Sequence, residues 1–396
     1  MRKVWLLALG SFTLGLDAYV MAGLLPVVAD DIGTTVSLAG QMVTVFTLAY
    51  AISAPLVAGL LHGARPRLVL LAALAVFTAG NALTALAPSL GALLGARVVA
   101  GAGAGVYSAM STAAASALVP GERRGRALAV VMGGMSSGTV LGVPLGVLLA
   151  EHTGWRATLW LVTGLGAVSL TGLAALLPAV PAAPAVSVRA RLTAVTDRAV
   201  APVVQVSFLA AVASLGLYTY LAPVLESAGG VREVAPYLWA WGLGGVAGSL
   251  LIGRLVDKVT GAAGAGRVAA LVGVIMAVVT GAEAVLPVLA PVPPLAAVAL
   301  VIWGAAGWAL QVPQQHRLLA CKEERGTVAL ALNNSALYLG SAVGSALSGA
   351  ALSAGLSGAV LPWAAAGVAA LGLARHLWAV RDRRTAGACA RRASRA

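Results

Sequence analysis

A chain of 396 residues that is 60% hydrophobic and only 10% charged, with a mean hydropathy of +0.94, is not built for water, since soluble proteins carry about 25% charged residues. The formal net charge of +13 would suit a nucleic-acid partner, but the charges sit in short segments between long apolar runs, so nucleic acid is excluded and the partner is the lipid bilayer. The two cysteines, Cys321 and Cys389, imply no disulfide.

Spanning a bilayer takes about 20 mostly apolar residues in a helix. Runs of that size fall near 4–28, 37–61, 68–87, 90–118, 127–150 and 158–177, and again near 199–225, 235–256, 268–288, 294–320, 327–352 and 358–380. The first run contains Asp17 and is too long for a signal-peptide core, so it reads as a retained helix. Short loops make neighbouring helices antiparallel. The fold class expected is therefore all-α and polytopic, with twelve transmembrane helices in two pseudo-symmetric six-helix bundles.

Orientation follows from the basic residues, which concentrate in cytosolic loops. With both termini inside, 23 of the 26 Lys and Arg residues face the cytosol. Only Arg156 and Arg232 fall outside, and Arg97 lies within a span. The expected location is the inner or plasma membrane, multi-pass, both termini cytosolic. The division expected is a first bundle over 1–177, a cytosolic linker over 178–198, a second bundle over 199–380, and a basic tail over 381–396. A monomer is expected.

The halves repeat. Glu122-Arg123-Arg124-Gly125 after span 4 matches Glu323-Glu324-Arg325-Gly326 after span 10, and Gly138 and Gly142 match Gly340 and Gly344. Two six-helix halves in parallel repeat are a transporter plan, with the substrate between them near the midplane.

Asp17 is the sharpest chemical signal. It lies about 20 Å along the first span. An ionised carboxylate there must face a cavity, find a partner or stay protonated. Such a group can carry a proton or attract a cationic substrate; the plainer use is a hydrogen bond to a neighbouring helix. Arg97 keeps its charge in a protein and must be paired or wet; bonding backbone carbonyls of the next span is the alternative. Gly138, Gly142 and Gly146 put three residues without side chains on one face, which permits close helix contact, and Pro144 can kink the span. In span 10, Trp303, Trp308 and Gln311 are candidates for stacking on or bonding a ligand, or else for packing. Gln314, Gln315 and His316 approach the inner surface. Asn333 and Asn334 in span 11 line the cavity or bond across helices. Tyr218, Tyr220, Trp239 and Trp241 read as interfacial aromatics. Glu283, near the outer end of span 9, is expected to make a local hydrogen bond or to snorkel to the interface.

Together these stretches resemble the major facilitator superfamily, in its drug:proton antiporter branch with twelve spans, and are similar to bacterial chloramphenicol-type and sugar-efflux-type exporters. The resemblance covers the whole chain. It is carried by Gly15-Leu16-Asp17 with Met21-Ala22-Gly23-Leu24-Leu25-Pro26, and by Arg97 with Gly101, Gly103 and Gly105. The run from Gly138 to Gly146 is close to the family's antiporter motif, and Trp303-Gly304, Gly307-Trp308 and Pro313-Gln314-Gln315 complete the match. It implies a role for Arg97 in proton relay, and a bundle-to-bundle seal at the span 5 glycines. The family's loop after span 2 carries an Asp four residues after its Gly. Here Gly59 is followed by Gly63, with Arg65 and Arg67 retained, whereas the second half keeps Gly253, Arg254 and Asp257. Ala100 stands where the family often has Gln.

The function implied is proton-coupled efflux of a small, fairly apolar neutral or cationic compound, drug-like or antibiotic-like, by alternating access. Asp17 serves both proton and substrate. Export of a sugar or polar metabolite is the alternative in the same fold. A membrane sensor or scaffold is the alternative of another class, and it predicts a sizeable soluble domain that the short loops do not provide. The partners expected are a small-molecule substrate and protons. No enzyme activity, metal or other cofactor is implied: there is no Gly-Lys-Ser/Thr nucleotide loop and no His/Cys cluster.

Overall fold

The computed structural model describes residues 2–60, 64–120, 123–180, 196–259, 264–319 and 323–393. Among these there is no strand, and twelve helices are long and apolar enough to cross a membrane. Spans 1 to 6 are Lys3–Ile32, Val36–Leu56, Pro66–Ala85, Leu90–Ala117, Arg124–Thr153 and Trp155–Leu176. Spans 7 to 12 are Ala201–Thr219, Ala235–Val256, Gly266–Leu289, Pro293–Leu319, Val328–Ser353 and Gly358–Asp382. A bilayer offers backbone groups no water, so each span satisfies its own ladder as a helix. Large apolar side chains such as Leu250, Leu251, Val288 and Leu371 stay exposed on the outside of the bundle, where lipid replaces water as solvent. An even number of crossings returns both termini to one end, called the basic end below. The opposite end is the far end.

Spans 1 to 6 pack on one another, as do spans 7 to 12, and the two bundles meet along a seam. Both bundles use the same close contact. A Cβ at Gly138 would lie 2.0 Å from the Phe12 carbonyl oxygen, and one at Gly344 would lie 2.1 Å from that of Val212. Span 5 thus lies backbone to backbone on span 1, and span 11 does the same on span 7. Small residues let membrane helices approach this way.

Three prolines account for three irregularities, because each removes the hydrogen bond to the carbonyl four residues earlier. Pro223 has no N–H for Thr219. The run near 199–225 accordingly breaks at Tyr220 (φ −109°, ψ 29°) into Ala201–Thr219 and a short helix, Leu221–Gly229. Pro313 has none for Ala309, and span 10 divides into Pro293–Ala309 and Gln311–Leu319. Pro144 has none for Val140, and Gly138–Gly142 winds as a π-turn. Such turns absorb a missing bond without ending the helix.

At the far end, spans 5 and 6 are joined through Gly154 alone, at φ 89°. That backbone favours glycine. Beside it Arg156 pairs with Asp31 at 2.5 Å, and the Trp155 indole donates to the same carboxylate. The middle of the expected linker, 181–195, falls outside the described residues.

Candidate functional site

Span 1 carries the two sides of the site. Asp17 points into the first bundle and is fully buried. There its carboxylate takes a 2.7 Å bond from Arg97 Nη1 and a longer one, 3.4 Å, from Asn81 Nδ2. Arg97 Nη1 also lies 3.3 Å from Asn81 Oδ1. The guanidinium sits 4.1 Å over the Phe46 ring, a cation–π contact that helps hold a buried charge. Arg97 Nε has no hydrogen-bond partner among the described residues. The structure thus joins the two charged residues singled out in the sequence, on spans 1 and 4, and adds Asn81 of span 3. A polar amide among apolar residues in span 3 was the signal that could have found it.

The opposite face of span 1 meets the second bundle. Tyr19 lies 5.8 Å from Tyr218, 6.1 Å from Trp241 and 6.0 Å from Trp308, ring to ring. Tyr218 and Trp241 are 4.3 Å apart. Across the seam Tyr50 of span 2 stacks on Tyr338 of span 11 at 3.5 Å. Tyr218, Tyr220 and Trp241 are therefore seam residues, not members of an interfacial belt. The physical difference is rotational: they face the neighbouring bundle rather than lipid, and all three are buried. Tyr19, Tyr50 and Tyr338 were not expected at the site.

Between these rings lies a cavity of about 20 Å³ lined by Ala18, Tyr19, Val43, Thr47, Tyr218, Tyr338 and Ser341, among others. That is room for about one water, whereas a drug-sized ligand needs about 300 Å³ or more. A substrate would fit there only if the bundles separated. Toward the far end the seam is closed by hydroxyls. Ser37 Oγ bonds the Gly349 carbonyl at 2.5 Å and lies 2.6 Å from Ser353 Oγ. Thr44 donates to Ser345 at 3.1 Å, and Tyr220 donates to the Ser37 carbonyl at 3.1 Å.

The remaining candidates divide. Trp308 is at the seam. Trp303 is buried one layer behind it, in edge contact with Trp241 at 6.1 Å, and its indole N–H donates to Ser214. Gln311 is half-buried and Asn333 is buried, and among the described residues neither Gln311 Oε1 nor Asn333 Oδ1 has a hydrogen-bond partner. Asn334 is exposed and faces the Tyr50 hydroxyl from the basic-end side. Gln314 instead ties span 10 to span 7 through the Val203 carbonyl and Ser207. Glu283 does not snorkel: it is fully buried.

The span 5 glycines correct an expectation. Gly138, Gly142 and Gly146 face Phe12, Leu16 and Val20 of span 1, inside their own bundle. Val140 of that stretch lies opposite the second bundle, 3.7 Å from a Cβ placed at Gly242 of span 8. At about 100° per residue, Val140 lies about 120–160° around the helix from the glycine face. Pro144 is buried beside them.

At the basic end, Arg65 is exposed at the start of span 3 and Arg67 donates to the Ala174 carbonyl at 2.6 Å. Gly253 and Arg254 lie near the end of span 8. Gly59 and Asp257 sit in helices at positions whose side chains are outside what the structure describes, and Gly63 is outside the described residues. No group of three or more His, Cys, Asp or Glu is placed to hold a metal among the described residues.

Residues 7–320 match the Major Facilitator Superfamily. The inner membrane transport protein YdhP of Escherichia coli is 31% identical over 369 residues, 93% of each chain. A chloramphenicol resistance protein of Streptomyces lividans is 34% identical over 261 residues, which is 64% of this chain and 67% of that one. Among solved structures, a D-xylose-proton symporter superposes with a TM-score of 0.73 at 17% identity, over 94% of this chain and 96% of that one. At that identity the likeness speaks for the fold alone. The family match over most of the sequence, together with the full-length likeness to YdhP, means that this chain belongs to the Major Facilitator Superfamily and is a multi-pass membrane transporter.

Proposed function

We propose that the chain exports a small, fairly apolar neutral or cationic compound in exchange for protons, by alternating access of its two bundles. In this reading the basic end is cytosolic, the protein sits in the inner or plasma membrane, and the segment 178–198 links the halves as they rock. The observation that carries it is the buried Asp17–Arg97 pair, placed on the reverse side of the helix that forms the seam. Breaking a buried pair by neutralising one partner leaves the other charge stranded, at a cost of about 3–5 kcal/mol. Protonating Asp17 does this to Arg97. The stranded guanidinium is stabilised only if water or a new partner reaches it, so proton uptake favours a different packing of spans 1, 2 and 4.

A path from the pair to the seam is built in. Phe46 lies under the guanidinium, its ring is 6.4 Å from that of Tyr50 on the same span, and Tyr50 is stacked on Tyr338. Movement of Arg97 displaces Phe46 and loosens the Tyr50–Tyr338 stack, which parts the bundles. Span 1 acts in parallel, because Tyr19 must turn when Asp17 does. The substrate then occupies the space between Tyr19, Trp308, Tyr218 and Tyr338, where aromatic faces suit an apolar or cationic compound. Chloramphenicol is the first probe to try, given the Streptomyces lividans relative. The test is chloramphenicol-driven proton movement in proteoliposomes, together with drug susceptibility of efflux-deficient cells expressing the chain. A protonophore should abolish accumulation. Export that follows ATP and ignores the pH gradient would overturn the reading.

A further inference from the structure

A second carboxyl lies buried on the other side of the seam. Glu283 of span 9 is completely enclosed, six residues before the span ends at Leu289. Neither of its carboxylate oxygens makes a hydrogen bond of ordinary length and angle to a described residue. Two polar groups face it, the Ser214 hydroxyl from span 7 and the Trp303 indole N–H from span 10, and these two are bonded to each other. Among the described residues no charged group faces it. Glu226, on the short helix Leu221–Gly229, is exposed at the far end. His376 of span 12 bonds the Ala269 carbonyl on span 9 at 2.8 Å and lies 3.4 Å from Arg317. Ala269 is fourteen residues from Glu283, about 21 Å along the helix.

This is the reverse of the arrangement at Asp17. There a buried carboxylate has an arginine 2.7 Å away. Here a buried carboxyl has no cation and only neutral neighbours. An isolated charge in such a place is too costly to keep, and the group neutralises instead. Within one conformation, then, the arginine beside Asp17 favours its ionised form, and the neutral surroundings of Glu283 favour its protonated form. Two carboxyls held by their surroundings in opposite states mark a division of labour. Glu283 is also close to the seam. Trp303 touches it and meets Trp241 edge to face, and Trp241 meets Tyr19 and Tyr218. Only two side chains, both tryptophans, separate Glu283 from the residues that would hold a substrate.

We propose that Glu283 is a second proton-binding site of the transport cycle, occupied while Asp17 is ionised and coupled to the substrate space through Trp303 and Trp241. The inference rests on the proton-coupled reading above. When the far half of the seam opens, a proton from that side adds to a carboxylate oxygen of Glu283. It is held through closure, the state seen here. It leaves to the cytosolic side once substrate separates Trp241 from Tyr19 and water reaches Trp303. One O–H bond forms and the same bond breaks, with no other reactant.

Infrared spectroscopy of the full chain in lipid vesicles, titrated with pH, reads the carboxylic-acid C=O stretch directly. The unmodified protein should show a protonated-carboxyl band at neutral pH that disappears in Glu283→Gln, persists in Asp17→Asn and shifts in Glu283→Asp. Trp303→Phe keeps an aromatic ring but removes the N–H, and should shift the same band. A Glu283→Gln spectrum that matches the unmodified protein across the titration overturns the proposal. Should Glu283→Gln fail to fold, a band unmoved by both Glu283→Asp and Trp303→Phe overturns it equally. The second arm counts protons moved per chloramphenicol in proteoliposomes. Glu283→Gln should lower the count by one, and an unchanged count removes the coupling role. If the unmodified chain moves no proton with chloramphenicol, the proton-coupled reading itself falls and the transport role of Glu283 falls with it. That outcome is distinct from one in which only the variant is unaffected.

Discussion

Asp17 and Tyr19 are two residues apart on span 1 and look in opposite directions, about 200° around the helix. Asp17 bonds Arg97 inside the first bundle, while Tyr19 packs against Tyr218, Trp241 and Trp308 of the second. A rotation of one helix therefore changes the charged pair and the substrate seam together, with no long chain of intermediaries. Coupling needs an element with two arrangements that both sites bias, and span 1 meets that requirement.

Asp17→Asn keeps the size and hydrogen bonding of the side chain but cannot titrate. It should fold and bind neutral substrate, yet lose most of its uphill accumulation. Each proton exchanged per substrate supports about a tenfold substrate gradient per pH unit, so losing the Asp17 proton should cut accumulation about tenfold, whatever Glu283 contributes. Asp17→Glu should retain part of the activity with a shifted pH profile. Proteoliposomes with an imposed pH gradient provide the measurement, and undiminished accumulation by Asp17→Asn would show the residue to be structural.

Removing one partner of the buried pair should harm stability more than removing both. Arg97→Met leaves the Asp17 carboxylate facing only Asn81 and should cost about 3 kcal/mol or more. The double variant Asp17→Asn, Arg97→Met should recover part of that loss. Thermal unfolding of the purified proteins in one detergent compares them, and equal stability of single and double variants would argue against a charge-paired state.

The glycines of span 5 should not be equivalent. A Cβ at Gly138 lies 2.0 Å from the Phe12 carbonyl oxygen, a backbone atom that cannot step aside. At Gly142 it meets only Leu16 side-chain carbons at 3.0 Å. Gly138→Ala should sharply reduce the yield of folded protein, and Gly142→Ala should be tolerated with a small loss. Gly142→Leu and Pro144→Leu should fold with impaired or leaky transport. Size-exclusion profiles and export rates test the order.

Closing the far end covalently should stop the cycle. Ser37 Oγ and Ser353 Oγ are 2.6 Å apart across the seam, so Ser37→Cys with Ser353→Cys places two sulfurs within reach of a disulfide. In a background with Cys321 and Cys389 replaced, oxidation should abolish export and a reductant should restore it. Full activity after complete cross-linking would exclude far-end opening.

The topology has its own test. Arg65→Cys should react with a membrane-impermeant thiol reagent only from the cytosolic side, and residues introduced at 29–36 only from outside. Labelling of Arg65→Cys in intact cells would invert the orientation that the basic residues suggest.

The class of solvent, the number of spans and the repeat are legible in the chain alone, because length and apolarity are one-dimensional properties that a bilayer reads directly. The chain alone also marks Asp17 and Arg97, since a charge in a span is conspicuous wherever it points. Breaks at Tyr220 and Leu310 were latent in Pro223 and Pro313, whose missing donors are local facts. Direction is not legible there, because it is set by packing. That Asp17 turns toward Arg97 and Asn81 while Tyr19 turns to the seam depends on how span 1 is rotated against its neighbours. The same rotation puts Gly138 and Gly142 inside a bundle with Val140 opposite its partner, and buries Tyr218 and Trp241 that composition would leave at an interface. Span 1 is apolar on nearly every side, so no amphipathic stripe in its sequence sets that rotation. It is set by which backbones can approach closely, and that is a property of pairs of helices, absent from any single one.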